Sequence, residues 1–485
     1  MRVEHLGLVA LALAGTSGVA WAQADEEVLR ELRALRERVE ELEAREAARE
    51  AQDGVARAVE EYLATRDVEG PVGGLVVAPR SQRIELGGMV RVRGEMQRRS
   101  PTPPDRDGRR TNELVLGRAR LHADARIASD LRAFVELQDA RIWGEEPGTV
   151  SDTGGVDLSQ GYVDFERVWD DTRVRVGRQA VSYSDQRFIG ALEWSNPGRR
   201  FDGVTATHAR GDATYDVFAY RLADGFAAGD PGDNDVGLVG GWAVFPGVET
   251  LGTVEAFALL LNSSVQTPSE VQPGLAPRDG LTQFWTLGSR VHGKDADRGI
   301  DWDFQGAVQT GDVGGDDLSA WALRGEIGIE MGRGRLGFEA DYATGEKRLD
   351  DGQRDQFQVL FPTNHGYYGI HDLAAWSNLH AWSVNYRIPL ATDVTFETAY
   401  WRFKLDEEAG GWISASGAPV RAGAPGAGRS LGHELDMIVT WKQSDRVTWQ
   451  LGWAHFWAGR FVRSTEPDGQ PGDSDFFYLQ TLVTF

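Results

Sequence analysis

From Arg83 onward, apolar residues fall on alternate positions. In the first run Ile84, Leu86, Val90, Val92 and Met96 take even positions, and Glu85, Arg91, Arg93, Glu95 and Gln97 take odd ones. The next run repeats the dyad, with Val115, Ala119, Leu121, Ala123, Ala125 and Ile127 set against Arg118, Arg120, His122, Asp124 and Arg126. Successive strand side chains point to opposite faces, so each run predicts a strand with one apolar and one charged face. Such a strand is expected where lipid lies on one side and water on the other. A soluble sandwich also alternates, so the dyad alone leaves both open.

Spacing separates them. Eighteen windows carry the pattern, from 84–97 to 475–485, among them 172–178, 202–209, 300–309 and 320–331. Tight connections stand at Ser129-Asp130, Trp169–Asp171, Gly211-Asp212, Pro246–Glu249, Gly332-Arg333, Leu390–Thr392 and Ser444-Asp445, with a slightly longer one near Lys294. Long connections rich in Gly, Asp and Pro are expected at every intervening position, the longest at 179–201, 345–378 and 404–430. Short turns at one end and long loops at the other mark an outer-membrane barrel. The predicted fold is all-β, a transmembrane antiparallel up-and-down barrel of about eighteen strands. Its parity puts both termini on the short-turn, periplasmic side. The last window ends on Phe485 with Phe477, Leu479 and Val483 in phase, as barrel-assembly signals do.

The N-terminal region has another period. Arg2, the apolar run Leu6 to Ala14 and Ala20-Trp21-Ala22 predict a cleaved export signal over 1–22. No run is long and apolar enough for a helical span. In 23–68, Val28, Leu32, Leu35, Val39 and Leu42 recur at helical steps, which fits a short coiled coil or a single solvated helix. A linker at 69–82 precedes the barrel at 83–485.

Composition narrows the class. The chain holds 16 Trp and 20 Phe yet has a negative mean hydropathy, which suits alternating strands with aromatic girdles better than a packed soluble core. There is no Cys, so disulfides play no part. A net charge of -23 excludes nucleic acid as a partner. It leaves room for an anionic solute, since a local arginine cluster can oppose the global sign.

Several stretches resemble the alginate export family of outer-membrane porins. They are Gly177-Arg178-Gln179 through Tyr183, Asp185-Gln186-Arg187, Glu193-Trp194-Ser195-Asn196 and Arg199-Arg200-Phe201-Asp202-Gly203. Glu136-Leu137-Gln138-Asp139-Ala140-Arg141, His365-Gly366-Tyr367-Tyr368-Gly369 to Ser377-Asn378-Leu379, and Gly432-His433-Glu434-Leu435-Asp436 add to it. The likeness runs from about residue 83 to the C-terminus and leaves the helical segment outside. It implies a monomeric eighteen-stranded barrel with an arginine-rich constriction, through which an anionic polysaccharide such as alginate leaves the cell.

A selective pore needs fixed charge in a narrow region of low effective dielectric. Parity nominates Arg91, Arg93, Arg118, Arg120, Arg173 and Arg175 for the lumen, with Arg387 and Arg402 on later strands; Arg141 is counted with them. Guanidinium stays ionised and grips carboxylates in bidentate fashion. These arginines either present charge to a solute or pair across the lumen with Glu136, Asp164, Glu166, Glu339, Asp341, Glu434 and Asp436. The loop 179–201 is the candidate gate, and its gating residues are Arg178, Asp185, Arg187, Trp194, Arg199, Arg200 and Asp202. Acidic clusters at Asp230/Asp233/Asp235, Asp312/Asp316/Asp317 and Asp468/Asp473/Asp475 read as solvated turns, or as calcium loops without EF-hand spacing. The histidines fit no nucleophile elbow or HExxH helix, and no cofactor or metal is expected. Expected partners are membrane lipid and lipopolysaccharide, a hydrophilic solute, and peptidoglycan or a periplasmic protein through the helical segment. A diffusion porin for small solutes and a tethering barrel are the alternatives.

Overall fold

The dyads fold as strands that pair antiparallel with their neighbours. The computed structural model describes residues 83–99, 101, 111–144, 155–169, 171–223, 236–263, 282–349, 351–415, 417, 419–466 and 472–485. The expected leader, helical segment and linker at 1–82, and Asp230, Asp233, Asp235 and Asp468, lie outside these residues.

In chain order the wall begins with β1 (Arg83–Arg98), β2 (Asn112–Ala128), β3 (Leu131–Ile142), β4 (Asp157–Trp169), β5 (Thr172–Gln179) and β6 (Phe201–Arg210). It continues with β7 (Ala213–Ala223), β8 (Val236–Val248), β9 (Gly252–Ser263), β10 (Thr282–Asp295), β11 (Ile300–Val313) and β12 (Asp316–Met331). The last six are β13 (Gly334–Ala343), β14 (Leu379–Pro389), β15 (Val394–Leu405), β16 (Ser430–Lys442), β17 (Val447–Ala458) and β18 (Ser474–Thr484). β18 returns to β1 in the register Val90↔Val483 and Gly94↔Leu479, so eighteen strands close and no edge is left. The final residue completes the seam: Phe485 N–H donates to the Gly88 carbonyl at 3.0 Å, and Gly88 N–H to the Phe485 carbonyl at 2.9 Å.

The outward parity is apolar all round. Leu86, Leu121, Leu137, Val217, Val239, Val308, Leu323, Phe338, Leu451 and Leu479 are all exposed. A belt of this kind has no stable contact with water and is the lipid face of a barrel. Trp143, Trp285, Trp321 and Trp382 project near the long-loop ends of their strands, Trp169 and Trp441 near the short-turn ends. These are the two interfacial girdles.

Two features depart from the sequence reading. The loop expected between 309 and 320 is absent: β11 and β12 run on to a two-residue turn at Gly314-Gly315, with φ of 60° and 87°. That pair of positive values makes a type I′ hairpin, which glycine adopts without strain. Asp312 and Asp317 therefore pair across a hairpin, and buried Asp316 meets Arg354 at 3.3 Å. Strict alternation of short and long connections fails at this one place.

The second departure is inside. Toward the long-loop end Phe201, Phe218, Leu238, Trp242, Phe257, Leu259, Phe284, Trp401 and Phe403 point into the barrel. They pack with Phe188, Ile189, Phe357, Leu360, Leu373, Trp376, Trp412 and Phe461 from loops that enter the lumen. Part of the interior is thus an apolar core.

Candidate functional site

β5 and β6 have 8 and 10 residues against 16 and 17 in β1 and β2. Residues 180–200 therefore leave the wall part-way up and turn into the lumen. The inward parity of β1 and β2 meets them there with four buried arginines, Arg91, Arg93, Arg118 and Arg120.

Most of what these arginines hold is backbone. Arg91 donates to the Glu193 carbonyl at 2.6 Å and the Ser195 carbonyl at 3.2 Å. Arg118 donates to the carbonyls of Glu193, Ser195 and Asn196 at 3.2–3.3 Å. Arg120 donates to the Pro197 carbonyl at 3.1 Å, and Arg93 to the Trp194 carbonyl at 2.9 Å. The Arg93 guanidinium also lies 3.5 Å over the Trp194 ring, whose other face stacks on His365 at 3.4 Å. Arg91 and Arg118 stand directly opposite in the ladder, an arrangement that repels unless acceptors intervene. The loop carbonyls are those acceptors.

One loop carboxylate joins them. Glu193 meets Arg120 at 2.8 Å, and Arg118 and Arg200 at 3.0 Å. Burial pulls the Glu193 carboxyl toward a higher pKa, but Arg120, Arg118 and Arg200 overcome it and hold the pKa below the ordinary value. Arg199 has carbonyl partners, Gly190 at 3.1 Å and Pro362 at 2.9 Å, and burial brings its pKa down to about 10.

A second network lies on the opposite wall, where acids are in excess. Arg187 of the same loop meets Asp185 at 3.1 Å, Asp341 at 3.5 Å, Glu339, and the Tyr368 hydroxyl at 2.7 Å. Arg324 reaches Asp303, Glu326 and Glu339 at 2.7 Å each. Arg290 bonds Asp303 at 2.7 Å and Ser184 Oγ at 2.8 Å, and Arg335 bonds Asp301 and Glu326. Beneath the loops Arg290, Asp301, Asp303, Glu326, Arg335 and Glu339 line a cavity of about 960 Å³, together with Tyr367, Trp401, Tyr386 and Tyr478.

The loop 344–378 closes over the first. Gly190 N–H donates to Phe361 O and Phe361 N–H to Phe188 O, both at 2.8 Å, while Thr363 N–H reaches Gln186 O at 2.9 Å. Ile189 and Phe361 form a parallel bridge. The two loops make one plug.

The nominated residues divide accordingly. Arg91, Arg93, Arg118 and Arg120 surround the loop with Arg200, whose Nη2 lies 3.7 Å from Glu136. Arg175 is paired with Asp164 at 2.7 Å and lies 3.8 Å over the Tyr162 ring. Glu434 and Asp436 are buried under residues 369–372, where Glu434 accepts the His371 N–H at 3.1 Å. Arg387 is lumenal but sits at the short-turn end, paired with Glu397 at 3.1 Å. Arg402 is a correction: it is exposed on the outer wall opposite Trp382, because Trp401 and Phe403 take the inward positions against the apolar core. Arg141 likewise faces outward, paired with Asp139, since Glu136 and Gln138 hold the inward parity of β3. Arg178 and Asp202 lie on wall strands, out of phase with buried Gln179 and Phe201, and pair at 2.8 Å outside the gating loop. Sequence reasoning missed Arg290, Arg324, Arg335, Asp301, Asp303 and Glu326. Their signal was present on β12, where Arg324 and Glu326 are out of phase with Trp321, Leu323, Ile327 and Ile329.

A closed, lipid-belted barrel with a charged, loop-plugged lumen is an outer-membrane channel. The chain belongs to the alginate export family, whose model, described as "Alginate export", matches residues 82–471. No curated protein matches the chain significantly. Among solved structures it is similar to Pseudomonas aeruginosa OccK5 (OpdH), with 13% identity and a TM-score of 0.54 over 83% of this chain and 98% of that one. Pseudomonas aeruginosa OccK2 (OpdF), solved in complex with glucuronate, aligns at 10% identity with the same coverage and TM-score. The Pseudomonas aeruginosa outer membrane protein OprD aligns at 12%, TM-score 0.52, over 83% and 93% of the two chains. At such identities the likeness establishes the fold.

Proposed function

We propose that the barrel passes a hydrophilic, carboxylate-bearing carbohydrate of the alginate kind down its gradient, without its own energy source. The observation that carries this reading is the group Arg91, Arg93, Arg118 and Arg120 on one lumen wall, with Arg200 of the loop beside them, in a chain whose net charge is -23. Fixed guanidinium charge in a narrow, water-poor passage lowers the barrier for carboxylates, and acids nearby keep the grip weak enough for release. Family membership supports it, and so does the glucuronate bound by OccK2. In this reading the long loops face outward, both termini are periplasmic, and the plug limits leakage. The outer wall contacts lipid, with Arg402 and Lys404 placed to meet lipopolysaccharide phosphates. Residues 23–68 are proposed to dock on peptidoglycan or a periplasmic partner.

The test is the reversal potential of single barrels in planar bilayers across a KCl gradient. Wild type is expected to prefer anions, and Arg118→Glu with Arg120→Glu to lose or reverse that preference. Unchanged selectivity in the double variant removes these arginines from the permeation path. A second reading, a diffusion porin for small solutes, is favoured by the mixed-charge cavity around Asp301, Asp303, Arg290 and Arg335. Block by glucuronate but not by its polymers would support it.

A further inference from the structure

The Glu193 carboxylate is held as a ligand's carboxylate would be. Its side chain is 45% exposed to the lumen, whereas its partners Arg118, Arg120 and Arg200 are 4%, 7% and 9% exposed. Two of those cations are fixed in the wall, and the anion rides on a loop. Glu136, by contrast, belongs to the wall, where it also accepts from Ser159 Oγ at 2.7 Å. The remaining wall contacts of residues 193–197 are largely to neutral carbonyls, each weaker than a bond between ions. The cradle also has unused capacity: Arg91 Nε and Arg118 Nε are buried without a hydrogen-bond acceptor, and Arg200 Nη2 has only the Glu136 carboxylate, at 3.7 Å. Buried guanidinium donors left in that state favour a further anion.

We propose that Glu193 is a tethered stand-in for a solute carboxylate. The cradle of Arg91, Arg118, Arg120 and Arg200 is a uronate site, and a uronate that enters it displaces the Glu193 carboxylate from Arg118, Arg120 and Arg200. The inference rests on the reading of the barrel as a channel for anionic carbohydrate. An internal competitor lowers the apparent affinity of the cradle by the fraction of time it is occupied. Removing the competitor's charge restores that affinity.

The experiment titrates single barrels in planar bilayers with sodium glucuronate, and with glucose as the uncharged control. In Glu193→Gln the half-blocking glucuronate concentration is expected to fall about tenfold, the scale of one charge-assisted hydrogen bond. Glucose block should not move, and adding Arg120→Gln should abolish the gain. Glu193→Asp, which keeps the charge, should behave as wild type. The proposal is overturned if Gln leaves the glucuronate titration unchanged, if glucose shifts equally, or if Asp shifts as far as Gln. Wild-type selectivity separates the two failures. Loss of anion preference in wild type sinks the channel reading, whereas retained preference with an unshifted Gln variant sinks this inference alone.

Discussion

Arg187 is 2% exposed and faces Asp185, Glu339, Asp341 and the Tyr368 hydroxyl. Removing one partner of a buried ionic network leaves the others desolvated and uncompensated, at roughly 3–5 kcal/mol. Arg187→Met should therefore lower the unfolding free energy of the detergent-solubilised barrel by that much, while Arg387→Met, at an exposed pair, should cost under about 1 kcal/mol. Equal losses of unfolding free energy for the two would refute the network's role. What the sequence disclosed at this scale was the side of the wall. Arg118 and Arg120 could be put inside because Ala119 and Leu121 are out of phase with them. Their hold on the carbonyls of Glu193, Ser195, Asn196 and Pro197 could not be foreseen, since a backbone acceptor leaves no mark on residue identity. Arg402 went astray for a definite reason: near the long-loop end Trp401 and Phe403 face a lumen filled with apolar loop residues, so the rule that apolar means outward inverts.

The plug is an element built from two loops that are distant in sequence. Thr363 is its small rivet: its Oγ1 accepts from Leu192 N–H at 3.0 Å and donates to Gln186 Oε1 at 2.9 Å. Thr363→Val keeps the shape and removes both bonds, leaving the half-buried Leu192 N–H without its acceptor and Gln186 Oε1 with only Ser182 Oγ at 3.3 Å, at about 1–3 kcal/mol. The expected result is more frequent full openings in single-channel records, by about tenfold, with unaltered open-state selectivity. A record identical to wild type would show that the loops are held shut elsewhere. The length and charge of 179–201 announced a functional loop, and shortened β5 and β6 explain how it enters. The share of 344–378 was hidden, because the Ile189–Phe361 bridge joins two loops whose lengths predict no partner. Gly314-Gly315 was misread for the opposite reason: polar, glycine-rich composition suits both a long loop and a tight hairpin, and only pairing decides.

At the scale of the whole molecule, the strands were legible because lipid imposes one rule on every one of them. Each outward position must be apolar across the hydrocarbon, and each backbone group must find a partner in a neighbouring strand. The lumen obeys no such uniform rule, so its contents had to be seen. The same rule sets a contrast between two outward positions. Leu323, midway along β12 and 54% exposed, lies where the membrane is driest. Arg402 lies near the long-loop end of β15, beside the Trp382 girdle, where its stem crosses apolar surface and its head reaches polar headgroups. Leu323→Arg should thus destabilise the barrel in bilayers by roughly 2–4 kcal/mol, and Arg402→Leu by under about 1 kcal/mol. Reversible unfolding in urea from lipid vesicles measures both. Equal costs at the two sites would mean that the hydrocarbon belt is not centred where the exposed leucines place it.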